Sequence, residues 1–407
     1  MNSIARTALT AVISSLLTMS LVAGCEVVKP LAGLLPGPTA SPQSVATSSA
    51  EAPTQRPSDA RPALAQPVPQ SGDIIPRVYQ DASPSVVNIV SIGVGSDFFS
   101  QPAPQPLGAG SGFIIDDKGH IITNNHVVED AQRLDVTLAD GTTVAGKLIG
   151  RDPRADLAVV KVDVPADKLR IAKLGDASKV QIGELAIAIG NPFGLEKTVT
   201  AGIVSATRRA VNEPGADGIL IQAIQTDASI NPGNSGGPLF NARGEVIGVN
   251  TLILSPGAGP GGGGNIGIGF AQSIDYAKRV VPALISGGKF AHPFIGVGTV
   301  GITEAIAQEL QLQVKNGLVV GSVDQGSGAA RAGIRAGTRQ TESRSRRLTA
   351  GGDVLTAIDG QPLRTSEDLV AYLEMNKSPG DTVTLSIVRD GQNLQVPVQL
   401  TERPAPR

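Results

Sequence analysis

A chain of 407 residues is long enough for two or three domains. Hydrophobic residues make up 41%, but aromatics are only 3% and tryptophan is absent, so the cores must rest on Val, Ile, Leu and Ala. The formal net charge of -2 argues against a broad polyanion-binding surface, and no nucleic-acid partner is expected.

Residues 1–24 have the layout of a secretory signal. Arg6 supplies a positive start, and residues 11–22 form a short apolar run ending in small residues. The run falls short of the ~18–20 apolar residues a spanning helix needs. Leu21-Val22-Ala23-Gly24-Cys25 then resembles a bacterial lipobox. Cys25 is the only cysteine, so it has no disulfide partner within the chain. It is the expected lipidation site, placing the protein on a membrane outside the cytoplasm. A plain signal peptide with an incidental cysteine, or a signal anchor, is the alternative.

Residues 25–72 read as a tether. Nine prolines stand among residues 26–72, together with many Ser, Ala and Gln. Such a stretch buries too little apolar surface to offset its ordering entropy. As a flexible coil of that length it reaches roughly 40 Å.

Residues 73–289 carry short runs of period two or continuous apolar character. Strands are expected over 86–92, 112–115, 134–138, 143–149, 157–162, 185–189, 198–204, 219–224, 246–250 and 266–271. This density of strands indicates a mainly β domain of barrel or sandwich type. One helix is expected over 273–285, capped by Ser273 and kinked or shortened by Pro282. Residues 290–403 form a smaller α+β unit, with strands over 317–323, 353–359, 382–389 and 394–400. Its helices fall over 327–332 and 365–376, the second opened by the Thr365/Asp368 capping box. The polar, basic stretch 338–350 reads as an exposed loop inserted into this unit.

The chemistry is concentrated in Asn231-Pro232-Gly233-Asn234-Ser235-Gly236-Gly237-Pro238-Leu239. A nucleophilic serine needs an exposed hydroxyl and nearby N–H groups for the developing oxyanion, and flanking glycines allow the sharp turn. Gly233, Asn234 and Ser235 are the expected oxyanion-hole residues, with Asn234 holding the turn. Serine also needs a base, and the chain has three histidines. His120 follows a turn and is expected to face solvent. His292 stands beside Pro293 at the domain junction. His126 sits where an apolar strand ends and a polar loop begins, as a general base requires. Asp156, before the apolar run 157–160, is the favoured carboxylate to orient it. Asp152 fits a turn better, and Asp227 a structural place in the loop leading to Ser235. The order His, Asp, Ser is that of chymotrypsin-type proteases.

With these residues, the stretches 122–128, 156–161, 226–239 and 267–271 resemble the HtrA (Deg) family of serine proteases. The resemblance covers roughly residues 73–400. It implies a chymotrypsin-like double β-barrel followed by a PDZ domain, and a homotrimer that degrades unfolded or mislocalised proteins without cofactor or metal. In trypsin-like geometry the residue six before the nucleophile floors the specificity pocket; here that is Ser229, with Ile230 and Ile268 nearby. Small or medium aliphatic residues are therefore expected before the cleaved bond. Phe294-Ile295-Gly296-Val297 resembles a PDZ carboxylate-binding loop for peptide C-termini, with Leu369 and Leu373 as groove wall or plain core. The glycine-rich loop 255–264 is either a simple connection or a switch element. Phe98 and Phe99 are either a contact patch or an incidental pair. Gln272-Ser273 departs from the family's usual apolar-Pro pair and leaves the packing there open. The competing function is a peptide-binding chaperone or adaptor with a silent protease fold.

Overall fold

The computed structural model of the chain describes residues 71–96, 102–192, 197–212, 219–253, 267–343 and 346–404. Cys25, Phe98, Phe99 and the loop 255–264 lie outside the described residues. Among the described residues, no helix is long and apolar enough to cross a membrane.

A helix the sequence reading did not anticipate, α1 (Ser71–Ala82), precedes the first barrel. Ile74, Ile75, Val78, Tyr79 and Ala82 fall on one helical face and pack against the core of the β domain, which overrides Pro76 within the helix.

The first barrel uses β1 (Val86–Ser96), β2 (Pro102–Ile114), β3 (His120–Thr123), β4 (Arg133–Thr137), β5 (Thr143–Asp152) and β6 (Leu157–Val162). They close in the order β1-β2-β3-β6-β5-β4. One turn of helix, α2 (Asn125–Val128), follows β3. The interior is aliphatic, with Ile89, Ile114, Ile121, Val136 and Val160 all buried, as the scarcity of aromatics requires.

The second barrel comprises β7 (Lys173–Leu174), β8 (Leu185–Gly190), β9 (Thr198–Asn212), β10 (Ile219–Thr226), β11 (Pro238–Phe240), β12 (Glu245–Ile253) and β13 (Gly269–Ser273). Because β11 pairs with both β8 and β12, six of these strands close a ring, and β7 adds to β12 in parallel. The expected chymotrypsin-like double barrel is therefore present. The expected strands fall within or beside observed ones, several of which run longer because barrel closure extends the pairing.

Gln272 has a clear structural role. The β10 ladder is irregular between Leu220 and Ala223, and Gln222 has φ 53°. The buried Gln272 amide takes the place of a strand partner there: Ile221 N–H donates to its Oε1 (3.1 Å), and its Nε2 donates to the Ile221 carbonyl (2.8 Å). Ser273 then caps α3 (Ile274–Gly287) by accepting from Asp275 N–H. The helix runs on past Pro282 to Gly287, so the proline does not shorten it.

The second unit begins with β14 (Pro293–Phe294), β15 (Val297–Gly301), α4 (Glu304–Glu309), β16 (Leu318–Val323) and α5 (Gly328–Arg331). The supposed loop 338–350 is instead a two-stranded hairpin of β17 (Arg339–Ser343) and β18 (Arg346–Ala350). Thr341 and Thr349 favour extended backbone, and no Gly or Pro interrupts the pairing. Next come β19 (Val354–Ile358), β20 (Gln361–Pro362), α6 (Ser366–Asn376), β21 (Thr382–Arg389), β22 (Gln392–Gln399) and β23 (Thr401–Glu402). The main sheet runs β15-β16-β19-β21-β22, and both arms of the Thr365/Asp368 capping box at α6 form.

Candidate active site

The first barrel carries His126 and Asp156, the candidate base and its candidate carboxylate. His126 stands on α2, directly after β3, and Asp156 in the turn from β5 into β6. His126 Nδ1 lies 2.9 Å from Asp156 Oδ2 and 3.0 Å from Oδ1, and the His126 backbone N–H also donates to Oδ1 at 3.0 Å. A carboxylate can only accept, so Nδ1 carries the proton and Nε2 the lone pair. The Asp156 side chain is 4% exposed and that of His126 38%, so the carboxylate is sealed while the imidazole reaches the surface. Asp156 has φ 49°, a strained conformation for a non-glycine residue. It persists because its surroundings fix it: the buried Asn124 Nδ2 donates to its backbone carbonyl at 2.8 Å.

The second barrel supplies the serine. Ser235 lies in the turn before β11, and it shares a cavity of about 380 Å³ with His126, Gly233, Ile230, Thr251 and Leu107. Gly233 has φ 101°, and a side chain there would place its Cβ 2.3 Å from Pro192 Cβ. The N–H groups of Asn234, Gly236 and Gly237 are taken by the carbonyls of Asn231, Asn250 and Asn234. Of the three expected oxyanion residues, Asn234 thus spends its N–H within the turn. Those of Gly233 and Ser235 meet no acceptor among the described residues.

The other candidates take structural places. His120, expected at the surface, is buried on β3 with Nδ1 2.6 Å from Asp116 Oδ2, because the turn ahead of β3 folds that carboxylate back onto it. Asp152 accepts from the N–H groups of Arg154 and Ala155 and faces His292. Asp227 accepts from Ile203 N–H at 2.7 Å, in the loop before the nucleophile. Ile230 lines the cavity, whereas Ser229 is exposed and offers its carbonyl to Thr200 and Asn234. Ile268 packs with Leu220, Ala223 and Phe270, away from the cavity lining.

Comparison with known proteins agrees with this geometry. Residues 110–249 match the model of the trypsin-like peptidase domain and residues 293–400 that of the PDZ domain. HhoB of Synechocystis sp. is 36% identical over 400 residues, covering 90% of this chain and 89% of its own length. The chain belongs to the HtrA (Deg) family of serine proteases. A "Probable periplasmic serine endoprotease DegP-like" of Brucella suis is 40% identical over 308 residues, 75% of this chain. That match is 55% of the Brucella protein, so the chain spans about half the length of the DegP-like relatives it matches. Among solved structures, "HtrA-type protease AlgW with decapeptide" superposes with a TM-score of 0.66 at 33% identity, covering 82% of this chain and 99% of its own.

The family's second module also has a cavity. About 140 Å³ lies between β15 and α6, lined by Phe294, Ile295, Val297, Thr299, Leu369 and Leu373 among others. Gly296 does not line it; its carbonyl accepts from Asp324 N–H at 3.0 Å. Leu369 and Leu373 are both groove wall and core.

Sequence reasoning passed over three polar residues that the site buries. Asn124 also donates to Thr251 Oγ1 (3.0 Å) on the cavity wall. Ser111 touches the nucleophile loop, and Asn88 Nδ2 donates to the Asn191 carbonyl at 2.7 Å, across the two barrels. For Ser111 a signal existed, since Gly110-Ser111-Gly112 implies close backbone approach. The other two bonds join residues too far apart in the chain for any local pattern.

Proposed function

We propose that this protein is an extracytoplasmic serine endopeptidase that degrades unfolded or mislocalised proteins by acyl transfer. The observation that carries the reading is the Asp156–His126 grip on the wall of a cavity that also holds Ser235. In this reading Ser235 Oγ attacks the peptide carbonyl while His126 Nε2 takes its proton. The N–H groups of Gly233 and Ser235 stabilise the oxyanion, and Asp156 the imidazolium. Collapse breaks the C–N bond, and His126 hands its proton to the leaving amine. Water, deprotonated by His126, then releases the acyl group and regenerates Ser235.

Ile230 on the cavity wall, followed in the lining by the uncharged Asn231 and Pro232, supports cleavage after small or medium aliphatic residues. The groove between β15 and α6 supports binding of peptide C-termini through residues 294–297. Lipidation at Cys25 would tether the enzyme to a membrane, and a homotrimer is the assembly the family resemblance suggests.

A fluorophosphonate probe tests the central claim. Wild-type protein is expected to take the label at Ser235 and to cleave casein, and Ser235→Ala to do neither while keeping its fold and peptide binding. A folded Ser235→Ala that degrades casein at the wild-type rate would overturn it, as would an unlabelled wild type. Cleavage mainly after Lys or Arg would sink the specificity reading.

A further inference from the structure

A triad divided between two barrels works only if the barrels stay in register at the site, and Ser111 is placed where they are joined. We infer that Ser111 is a positioning residue that fixes the loop carrying the nucleophile and its oxyanion donors; this rests on reading the site as a serine endopeptidase.

Ser111 lies on β2 of the first barrel and is fully buried. Its Oγ donates to the Gly233 carbonyl (2.5 Å) and accepts from Asn191 N–H (2.8 Å), just past β8 of the second barrel. Its N–H donates to the Ser235 carbonyl at 2.8 Å. Its own carbonyl accepts from Thr123 Oγ1 at 2.7 Å, three residues ahead of His126. One residue thus holds the nucleophile loop at two points and the strand that delivers the base at a third. The junction has no slack. A Cβ on Gly236, whose φ is 80°, would come within 2.2 Å of the Ser111 carbonyl oxygen and 2.3 Å of Thr123 Oγ1.

The consequence follows from where the bonds fall. Holding the Gly233 carbonyl fixes the plane of the Gly233–Asn234 peptide, which lies between the two proposed oxyanion donors. Without the Ser111 hydroxyl, the Gly233 carbonyl and Asn191 N–H would both be left buried and unpaired. The loop would relax to find other partners. That loss falls on the transition state, because oxyanion contacts strengthen only as charge develops on the carbonyl oxygen.

The test compares Ser111→Ala with wild type in peptide hydrolysis. It also measures two inhibitors built on the sequence that the wild type cleaves best: a peptidyl boronate, which becomes tetrahedral on Ser235, and the same peptide as a carboxamide. We expect kcat to fall about 10- to 100-fold with little change in KM. Boronate affinity should fall by the same factor as kcat/KM, and carboxamide affinity should hold. A folded Ser111→Ala with wild-type kcat and boronate affinity overturns the inference, as does equal weakening of both inhibitors. If Ser111→Ala does not fold, Ser111→Cys, a weaker donor of similar shape, carries the same comparison; failure of both to fold assigns the residue to the fold alone and overturns the inference. A wild type that neither cleaves nor takes the fluorophosphonate defeats the endopeptidase reading itself, whereas an active wild type with an indifferent Ser111→Ala defeats only the inference.

Discussion

His126 and His292 each hold a carboxylate oxygen at 2.9–3.0 Å, yet the two imidazoles are built for different ends. His126 meets Asp156 through Nδ1 and lines the cavity that also holds Ser235. His292 faces two: Nε2 lies 3.0 Å from Asp152 Oδ1, and Nδ1 lies 3.0 Å from Glu374 Oε2. Asp152 belongs to the first barrel and Glu374 to α6 of the PDZ domain, so the second histidine is a pin between domains. Tyr276 and Arg154 add further bonds to Glu374 from the protease side. Burial by itself would push the His292 pKa down, but the hydrogen bonds and charges of the two carboxylates outweigh it and raise it to about 9. One carboxylate orients the imidazole through a single nitrogen, as the proposed proton transfer at Nε2 requires. Two convert it into a standing cation with no lone pair to offer.

The largest expected effect comes from breaking the first pair. Asp156→Asn keeps the shape of the site but lets Nδ1 become the acceptor, putting the proton on the wrong nitrogen. We expect kcat on a peptide substrate to fall about 10⁴-fold, with thermal stability changed far less. Wild-type kcat in this variant would show that Asp156 is not the orienting carboxylate. The reverse pattern is expected of Glu374→Ala, which leaves His292 with Asp152 alone and takes a carboxylate partner from Arg154. Its cost should be about 3–5 kcal/mol of stability, read as a lower Tm and faster limited proteolysis between the domains. The comparison fails if Glu374→Ala melts like wild type.

Sequence made these two regions unequally legible. The nucleophile loop is contiguous, and its serine and glycines announce a sharp turn whatever surrounds them. His126 could be reached by eliminating two other histidines, and Asp156 by its place before a buried strand. The His292 pin has no such signature, because its carboxylates stand 140 and 82 residues away and only the docking of α6 assembles them. His120 was misjudged for a similar reason: a turn residue four positions earlier becomes its partner once β3 enters the barrel. Helix α1 was missed although its apolar residues recur at helical spacing, because Pro76 and the proline-rich stretch ahead of it argue against a helix. The β17–β18 hairpin was missed because it draws its identity from pairing rather than from a strong period. Strands and helix caps were readable, since alternation and capping are local properties.

A pH experiment sharpens the contrast at a smaller scale. The folded pKa of His292, about 9, lies above its ordinary 6.5. Its contribution, on the order of 3 kcal/mol, is therefore complete below about pH 6.5 and is lost as pH rises through 9. Glu374 works in the opposite sense. Burial would raise its pKa, but His292, Arg154 and Tyr276 hold it below the ordinary 4.5, so its share is present above that value and fades in acid. Thermal stability should decline between about pH 6.5 and 9 in wild type, and the slope should flatten in His292→Phe. An identical slope in both proteins would remove His292 as the cause.

The finest test is Tyr276→Phe. Tyr276 is 1% exposed and its hydroxyl donates to Glu374 Oε2 at 3.0 Å. The change removes one neutral donor from a carboxylate that keeps His292 and Arg154, and it leaves the ring packed edge-on against Phe290. Glu374 therefore stays charged and paired, and the loss should be about 1 kcal/mol, a Tm shift of a few degrees. Because the pin depends on charge balance rather than on this hydroxyl, Tyr276→Phe should keep the slope between pH 6.5 and 9 while lowering the whole curve. A slope that vanishes with the hydroxyl would mean that Tyr276, rather than His292, governs the charge at the joint.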